Sequence, residues 1–501
     1  MRELLIGVDI GTSESKGILC DVRGMVIACY SKAHDTQMPH PGWFEHDAEA
    51  VWWGDFVWIV KKLLSHTDAA RIAGISVSGL GQDLLPVDKH VIPLRKNAIL
   101  YGIDTRSFMQ IDEMNRQLGE DRILKNSANA LSTHSMGPKI SWLKENERQV
   151  FDSADYFLTC SSYLTAKLTG EFTLDHHQAS FWVPFYDIEH GCWNKEMCKE
   201  YLDVGKLPRL MWEYETAGEV TDRAARETGL LKGTPVCVGT GDAFAESISA
   251  GALEPGQVMG MYGSTTCIYM PVKSLHADGK LWSYRSYDKD KYGIAMCTSS
   301  SGSVTKWFRN CMAGEFEDLG DEAYSRLAEE AKNSPPGSGG VILLPYFTGE
   351  RSPIYDANAK GIYYGLSLNT TRADLFRAAL EGIAYSIRHN LEVLNEKGYK
   401  AAQIISVGGG VKNSVWMQAV SDACKVTQLV PRVTVGACYA DAYIAGIGAG
   451  IFKNIEGIRN WISYDRTIVP QEENGEIYDR GYCIYRELYE NTKFLIRRQS
   501  Q

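Results

Sequence analysis

Short runs of apolar residues alternate along the chain with longer segments in which apolar positions recur every three or four residues. Runs of about four to eight apolar residues between glycine and polar residues predict buried strands, and the longer pattern predicts helices. Alternation of the two kinds of element is typical of an α/β fold. The segments predicted as strands are Leu4–Ile10, 17–20, 73–78, 235–238, Gln257–Tyr262, 267–270, 281–287 and Tyr292–Cys297.

The clearest helix lies in the second half of the chain. Thr371 and Asp374 have the spacing of an N-terminal cap, and Gly398 is suited to a helix end. A helix between these points places every fourth residue on one face. The apolar residues at that spacing are Leu375, Ala379, Ile383, Ile387 and Leu391.

Two pairs of predicted strands are joined by short tips of glycine and hydroxyl residues. The first tip is Gly11-Thr12-Ser13 and the second is Gly263-Ser264-Thr265. Successive backbone N–H groups in such a turn can point the same way and bind a phosphate, and glycine lets the phosphate approach the backbone. An ordinary β-turn is the alternative for each tip. The repeat suggests two domains that each carry one tip.

Asp9 lies inside the first apolar strand, where an unpaired carboxylate is costly to bury. A Mg²⁺ ion or its water shell would satisfy that carboxylate. The alternative is an aspartate that caps its own turn. Lys16, beyond the tip, either adds positive charge at a phosphate site or is a solvated edge residue.

Asp242 follows Gly239-Thr240-Gly241 at the carboxyl end of a predicted strand. Ligand sites of α/β proteins usually lie at this edge of the sheet. A helix begins at residue 243 in the pattern, so a purely structural role as N-cap is equally compatible with the residue type.

A third glycine turn covers residues 408–410, after the strand-like residues 405–407, and a helix pattern follows Asn413. Strand, glycine turn and helix start are together suited to binding a nucleotide. The chain contains neither Gly-x-x-x-x-Gly-Lys-Ser/Thr nor Gly-x-Gly-x-x-Gly. A P-loop enzyme is therefore excluded, and a dinucleotide site loses its main support.

Size, charge and cysteine content narrow the class of protein. A chain of 501 residues predicts two large domains, and a net charge of −10 argues against nucleic-acid or anionic-membrane surfaces. Twelve cysteines without any Cys-x-x-Cys favour reduced, buried thiols over a zinc site or a disulfide framework. With no signal-peptide pattern and no long apolar run, we expect a cytoplasmic protein.

Together these segments resemble the FGGY carbohydrate kinases of the sugar kinase, Hsp70 and actin superfamily. The most specific match is Gly361-Ile-Tyr-Tyr-Gly-Leu366, seven residues, then Asp374-Leu-Phe-Arg-Ala-Ala-Leu-Glu381. The N-terminal signature is matched in its latter half, 139–145, and 344–353 is similar to xylulokinases. The resemblance implies two ribonuclease H-like (actin-like ATPase) domains around a central cleft, 1–246 and 247–501.

The resemblance also assigns roles to residues. It implies that Asp242 is the catalytic base and that Asp9 lies near Mg²⁺. It further implies an ATP site, whose first phosphate loop is carried by residues 1–246 and whose second loop and adenosine contacts are carried by residues 247–501. The residues that match the ATP site are Gly11, Thr12, Ser13, Lys16, Gly263, Ser264, Thr265, Gly302, Gly409, Gly410 and Asn413.

The sugar site departs from the xylulokinase pattern. Those enzymes read Gly-Gln-Met-His-Gly where this chain reads Gly79-Leu-Gly-Gln-Asp83, so Gln82 replaces the histidine. Gln82, Asp83, Asp104 and Arg106 are the candidates for binding sugar hydroxyls, and ordinary polarity at strand ends and turns is the alternative. For the adjacent pair His176-His177 we favour a loop without a metal, because neighbouring residues on a strand face opposite ways.

The resemblance therefore implies ATP-dependent phosphorylation of a sugar hydroxyl. A ketopentose such as xylulose is the first expectation for the acceptor, and gluconate, another aldonate or a polyol stays open. An actin- or Hsp70-like ATPase that acts on a protein partner is the rival class. Because relatives often dimerise, a homodimer is a further expectation.

Overall fold

The structure is a computed structural model that describes residues 2–275, 277 and 279–499. Most of the strands in these residues are short, and the longer ones belong to two main sheets. In chain order the strands are β1 Leu4–Ile10, β2 Glu14–Asp21, β3 Val26–Ala33, β4 Glu45–Asp47, β5 Ile72–Gly79, β6 Leu85–Val87, β7 Asn97–Ile99, β8 Tyr156–Leu158, β9 Thr173–Asp175, β10 Tyr186–Asp187, β11 Cys192–Trp193, β12 Arg209–Met211, β13 Thr216–Glu219, β14 Pro235–Cys237, β15 Thr240–Gly241, β16 Gln257–Tyr262, β17 Thr266–Val272, β18 Trp282–Arg285, β19 Tyr292–Cys297, β20 Ile342–Leu344, β21 Ile362–Tyr364, β22 Gln403–Val407, β23 Thr427–Pro431 and β24 Tyr464–Ile468.

Helices occur throughout the same residues, so the mixed α/β character predicted from the sequence is confirmed. The α-helices are α1 Gly54–Leu64, α2 Phe108–Leu118, α3 Glu120–Ser127, α4 Met136–Asn146, α5 Arg148–Ser153, α6 Cys160–Thr169, α7 His176–Ala179, α8 Lys195–Cys198, α9 Asp222–Thr228, α10 Asp242–Ala250, α11 Gly302–Met312, α12 Glu322–Ala331, α13 Arg372–Glu396, α14 Ser414–Cys424, α15 Ala437–Gly448 and α16 Gly475–Gln499. Among the described residues, none of these helices is both long and apolar enough to cross a membrane.

The chain divides into two compact units that are not continuous in sequence. Unit 1 consists of Met1–Leu253, Lys273–Ile294 and Val435–Ile462. Unit 2 consists of Glu254–Val272, Ala295–Thr434 and Ser463–Gln501. Two later segments of the chain therefore pack with the N-terminal half, and the domain boundary at residue 246 stays a prediction.

The main sheet of unit 1 brings the predicted site residues to one edge. Its described strands follow the order β13-β14-β5-β1-β2-β3, and β15 pairs with β5. Strand β1 is antiparallel to β2 and parallel to β5, and β5 is parallel to β14 and β15. The carboxyl ends of β1, β5 and β15 consequently meet at the same edge of the sheet.

Glycines let helix α15 approach this sheet at backbone distance. A Cβ atom added to Gly7 on β1 would lie 2.0 Å from the Cys438 carbonyl oxygen and 2.5 Å from the Ala442 nitrogen. On β5, a Cβ atom at Gly74 would lie 2.6 Å from the Ala445 carbonyl oxygen. Because any side chain at these two positions would clash with the helix backbone, glycine is required for this contact.

Unit 2 repeats the strand arrangement of unit 1. Its described strands β17, β16, β22, β23 and β24 are neighbours in that order. Strands β17 and β16 form an antiparallel hairpin, β16, β22 and β23 are parallel, and β24 is antiparallel to β23. The repeat that the sequence suggested in the two glycine tips thus extends to the pairing of whole strands.

The long helix predicted from apolar spacing is confirmed as α13. The Thr371 hydroxyl accepts from the Asp374 amide, and the Asp374 carboxylate accepts from the Thr371 amide, which together form a capping box. The helix ends at Glu396, and Gly398 follows with a φ of +86°.

The cysteine expectation is wrong for one pair. Cys267 on β17 and Cys297 on β19 form a disulfide within unit 2, although reduced thiols were expected throughout. The two cysteines are separated by 30 residues in sequence, and only the packing of neighbouring strands brings them together.

Candidate active site

Asp9 is presented by β1 at the sheet edge of unit 1. It lies opposite Lys16 on β2 and opposite Ser78 on β5, and the Ser78 hydroxyl lies 3.0 Å from Asp9 Oδ1. Burial raises the pKa of Asp9 to about 6, against the lowering effects of Ser78 and the Lys16 charge. A carboxylate with a raised pKa at a sheet edge is suited to binding a cation, which would favour its charged form.

The turn after Asp9 is held by hydrogen bonds to its backbone groups. The Gly11 amide donates to the Glu14 carbonyl at 3.0 Å, and His34 Nε2 lies 3.1 Å from the Gly11 carbonyl oxygen. Thr36 donates its hydroxyl to the Thr12 carbonyl at 3.0 Å. These contacts fix the turn through the Gly11 amide and two carbonyl oxygens, and Ser13 is exposed at the tip.

Asp242 begins helix α10 at the same sheet edge. Thr240 and Gly241 on β15 pair with Ser78 and Gly79 on β5, so Asp242 emerges beside the end of β5. The N-cap of α10 is Gly241, which has no side chain to cap the helix. Asp242 Oδ1 accepts from the adjacent Ala243 amide at 2.7 Å. The alternative role of Asp242 as N-cap is therefore wrong.

Several carboxyl groups share this edge and oppose one another's ionisation. Burial, followed by the Asp9 charge, raises the pKa of Asp242 to about 7 and that of Glu246 to about 7. Burial also raises the pKa of Asp441, on α15, well above its usual range. Within residues 2–275, 277 and 279–499, no group of three or more His, Cys, Asp or Glu side chains has the geometry of a metal cage. An ion here would need ligands from substrate and water.

Gln82 and Asp83 follow β5, and a buried lysine lies beneath them. Gln82 has a φ of +65°, a left-handed conformation that is uncommon for a residue other than glycine. Lys139 Nζ, on α4, donates to the Gln82 carbonyl oxygen at 2.6 Å. Burial raises the pKa of Asp83 well above its usual range, which the Lys139 charge opposes, and burial lowers the pKa of Lys139 to about 8.

Asp104 and Arg106 are buried and bonded to each other. The Arg106 guanidinium donates to Asp104 Oδ2 at 2.8 Å and to Glu45 Oε1 at 2.9 Å, and it lies over the rings of Trp43 and Trp142. Asp104 also accepts from the Phe44 amide at 2.7 Å. These contacts favour a structural role, and binding of sugar hydroxyls by the pair stays a prediction.

The second glycine tip lies in unit 2 beside the start of α11. The Gly302 amide donates to the Gly263 carbonyl at 2.9 Å, and the Ser301 and Ser303 amides donate to the Ser264 carbonyl at 2.9 and 3.0 Å. A Cβ atom at Gly302 would lie 2.5 Å from the Gly263 carbonyl oxygen. Three of the residues predicted for the nucleotide site are thus brought together within one unit.

The third glycine turn follows β22, the parallel neighbour of β16. Gly408 has a φ of +90°, and a Cβ atom there would lie 2.8 Å from the Tyr262 carbonyl oxygen. Tyr262 directly precedes Gly263, so the turn after β22 and the tip after β16 share one sheet edge. A Cβ atom at Gly409 would meet no atom within 4 Å, whereas Asn413 caps α14 by accepting from the Trp416 amide at 3.0 Å.

The two histidines singled out in the sequence begin the short helix α7, where a loop was expected. His177 is buried and stacked on Phe244, with ring centroids 4.3 Å apart. His176 Nδ1 lies 2.7 Å from the Tyr186 hydroxyl. The two side chains therefore have different surroundings.

Four residues at or near the site were not predicted from the sequence to have a functional role. They are Ser78, Lys139, Glu246 and Asp441. Lys139 was visible as the first residue of the matched latter half of the N-terminal signature, and Asp441 as an acid in an otherwise apolar helix pattern. Neither signal indicates where the side chain lies. Ser78 and Asp441 are 363 positions apart in the chain and meet through tertiary packing.

The chain is similar to known proteins over nearly its whole length. Residues 4–249 match the N-terminal domain model of the FGGY family of carbohydrate kinases, and residues 258–448 match its C-terminal domain model. A xylulose kinase of Staphylococcus epidermidis is 29% identical over 99% of this chain and 98% of its own length. A glycerol kinase of Acidiphilium cryptum is 27% identical over 96% of this chain and 98% of its own length.

The fold of the chain is also similar to that of a solved structure. The crystal structure of xylulose kinase from Rhodospirillum rubrum has a TM-score of 0.90 and 27% identity, covering 99% of this chain and 100% of that chain. Together with the two domain models, this confirms the predicted fold class of actin-like ATPase domains.

Proposed function

The chain belongs to the FGGY family of carbohydrate kinases and uses ATP to phosphorylate a sugar, and we propose that the acceptor is a ketopentose such as xylulose. Full-length similarity to proteins named xylulose kinase supports this acceptor. The observation that carries the proposal is the convergence of Asp9 and Asp242 on the end of β5, beside the residues that replace the family's sugar motif.

We assign the general base to Asp242. Its pKa of about 7 lies near neutral pH, where a base combines a useful charged fraction with a strong tendency to accept a proton. Asp242 would accept the proton of the attacking sugar hydroxyl, as phosphoryl transfer requires positioning and charge stabilisation more than covalent chemistry. Its position at the start of a helix on a rigid sheet edge holds the carboxylate in place.

The glycine turns would bind phosphate and adenosine. In unit 1, Thr12 and Ser13 offer backbone and hydroxyl donors, and Lys16 adds a positive charge. Gly11 closes the turn, because its amide donates to the Glu14 carbonyl. In unit 2, Ser264 and Thr265 offer the same kinds of donor. The Gly263 amide closes this tip on the Thr265 carbonyl, and the Gly302 amide at the start of α11 holds the tip by donating to the Gly263 carbonyl. Gly409 and Gly410 would contact the adenosine, and the open space at Gly409 suits a close ligand. Asn413 would act there through the helix that it caps.

Asp9 fits a role in binding Mg²⁺. Mg²⁺ is usually held by one or two carboxylates together with water and substrate phosphates. Asp9 fits this kind of site, because the described residues contain no group of three His, Cys, Asp or Glu side chains that could hold a metal by themselves. When bound, the ion neutralises charge on the phosphate oxygens. The contribution of the chain is a partly exposed carboxylate whose charged form a cation would stabilise.

The residue at position 82 supports a second class of acceptor. Xylulokinases carry histidine where this chain has Gln82 in a left-handed conformation, so the groups offered to the sugar differ. Gluconate, another aldonate or a polyol such as glycerol is the alternative acceptor. An ATPase that acts on a protein partner is the rival function, and it predicts ATP turnover that no sugar stimulates.

A coupled assay of ADP release over pentuloses, hexuloses, aldonates and polyols tests the proposal, with Asp242→Asn as the inactive control. We expect xylulose to give the highest kcat/KM and the control to give no sugar-dependent release. A higher kcat/KM for an aldonate or polyol would overturn the acceptor. If the protein turns over ATP and none of these compounds stimulates the rate, none of them is the acceptor and the rival ATPase function is favoured.

Two further properties complete the proposal. We place the enzyme in the cytoplasm, where ATP and phosphorylated sugars are retained, and we propose a homodimer, as the family resemblance implies. Light scattering after size-exclusion chromatography measures the mass directly, and a mass near the 55.8 kDa of one chain would refute the dimer.

A further inference from the structure

One buried hydroxyl group lies between two carboxyl groups at the candidate active site. Ser78 Oγ is 3.0 Å from Asp9 Oδ1 and 2.6 Å from Asp441 Oδ2. Ser78 and Asp441 are both completely buried, whereas Asp9 is partly exposed. The three side chains form a line that runs from the interior of unit 1 to its sheet edge.

A serine hydroxyl has one proton and can donate it to one acceptor at a time. If Ser78 donates to Asp441, Asp9 Oδ1 loses its donor. If Ser78 donates to Asp9, then Asp441 must donate a proton of its own to Ser78 Oγ. Asp441 is completely buried, and this burial, with the Asp9 charge, raises its pKa well above the usual range against the lowering effect of the hydrogen bonds from Ser78. A neutral, buried Asp441 carries the proton that the second arrangement requires.

The fold holds Asp441 against Ser78 by backbone contact. Helix α15 touches β1 at Gly7, where an added Cβ atom would lie 2.9 Å from Asp441 Cβ as well as against the helix backbone. Asp441 therefore has little freedom to move away from β5.

The stability of the fold does not explain this carboxyl group. Asp441 Oδ1 has no hydrogen-bond partner among the residues that the structure describes. A buried polar atom without a partner costs free energy, so an apolar side chain at position 441 would stabilise the packing more.

We propose that Asp441 is a positioning residue, which donates to Ser78 so that Ser78 donates to Asp9 and fixes the orientation of the Asp9 carboxylate. This inference rests on the Mg²⁺-binding role proposed for Asp9. Asp441 is completely buried, and its effect passes through the Ser78 hydroxyl. The outer oxygen of Asp9 is then held in one direction before any ligand arrives.

The arrangement predicts an unusual order of variants. Asp441→Asn keeps a donor toward Ser78 through its amide group, so it should behave like the parent protein. Ser78→Ala removes the hydrogen bond to Asp9. Asp441→Ala removes the donor that fixes the orientation of the Ser78 hydroxyl. Ser76→Ala is the matched control, because Ser76 is equally buried on the same face of β5 and its hydroxyl has no partner in the described part of the chain.

Calorimetric titration with ADP, in Mg²⁺ and in EDTA, tests the proposal on purified full-length protein. Asp441→Ala and Ser78→Ala should lose about 10-fold in the Mg²⁺-dependent part of ADP affinity, the order expected for one hydrogen bond to a charged group. In EDTA, the ADP affinity of these two variants should match that of the parent. Ser76→Ala and Asp441→Asn should match the parent in Mg²⁺ and in EDTA. If Asp441→Ala does not fold, Ser78→Ala gives the same test.

Three outcomes would overturn the inference. Parental Mg²⁺-dependent affinity in Ser78→Ala or Asp441→Ala would show that the line does not orient Asp9. An Asp441→Asn variant as weak as Asp441→Ala would show that position 441 does not act as a donor. ADP binding of the parent that does not depend on Mg²⁺ would remove the role of Asp9 itself. If no sugar stimulates turnover, the proposed acceptor is wrong. The ADP-binding measurements still test the role of Asp441 in that case.

Discussion

Replacing Asp242 with asparagine is expected to abolish catalysis and stabilise the fold at the same time. Asn has the size of Asp and cannot accept a proton from the sugar hydroxyl. A positioned general base contributes about 10²–10⁴-fold to rate, so sugar-dependent turnover should fall by at least that range. ADP should still bind, because the proposed nucleotide contacts lie elsewhere.

The stability gain can be estimated from the pKa of Asp242. Burial raises that pKa from an ordinary 3.8 to about 7, a shift of about 3 units, and each unit corresponds to about 1.4 kcal/mol. The charged carboxylate therefore costs the fold up to about 4 kcal/mol. Because Asp242 is partly exposed, this figure is an upper bound.

The sign of the effect depends on pH. Below pH 3.8 the side chain is neutral in the folded and unfolded states, and parent and variant should differ little. As pH rises toward about 7, the unfolded chain releases the proton that the folded chain retains, so the parent loses stability. The advantage of the variant should grow over this interval and become constant above it.

Differential scanning calorimetry in EDTA measures this gain, since a bound cation would otherwise offset the charge. At pH 8 the melting temperature of Asp242→Asn should exceed that of the parent by a few degrees, at about 1–2 °C per kcal/mol for a unit as large as unit 1. Asp222 provides a matched control, because it is also the first residue of a unit 1 helix but is exposed and paired with Lys232. Asp222→Asn should leave turnover unchanged and lower stability slightly.

One result would refute this reasoning. If Asp242→Asn melts well below the parent at pH 8 and retains near-normal turnover, Asp242 is structural and another group is the base. A pH profile of kcat/KM adds an independent check, since the parent should gain activity as Asp242 ionises. Mg²⁺ near Asp9 should move that rise below pH 7, because a cation favours the carboxylate.

The metal, the nucleotide turns and the sugar contact give three more predictions. Asp9→Asn should lose most activity and the Mg²⁺ dependence of ADP affinity by calorimetry, and full parental activity in excess EDTA would refute a metal role. Gly302→Ala places a carbon 2.5 Å from the Gly263 carbonyl oxygen. The tip must therefore move, so the fold should lose about 1–3 kcal/mol of stability and ADP affinity should fall. Gly409→Ala should melt like the parent, because the added carbon has space, yet bind ADP more weakly. Parental ADP affinity in both glycine variants would place the nucleotide elsewhere. Gln82→Ala should change the ranking of sugars by kcat/KM with little effect on the KM for ATP, and an identical ranking would place Gln82 outside the sugar pocket.

Local patterns in the sequence were sufficient for some of the elements and for the family. Strands Gln257–Tyr262 and Tyr292–Cys297 and helix α13 were predicted with bounds that agree with the structure to within about two residues. Apolar periodicity, caps and glycine turns express the geometry of a short segment, so they can be read without knowing the fold. The two family signatures likewise lie in continuous segments of the chain.

The surroundings of the candidate site residues were decided by tertiary structure. Helix α15 belongs to unit 1 although it lies near the end of the chain, and no local pattern indicates that Asp441 meets Ser78. The same holds for the Cys267–Cys297 disulfide and for Arg106, which the sequence offered as a sugar ligand and the fold placed against Asp104, Glu45 and two tryptophans. Side-chain partners and pKa values depend on which distant segments pack together. Packing follows from burial of apolar surface over the whole chain, so residue types and spacing alone leave it undetermined.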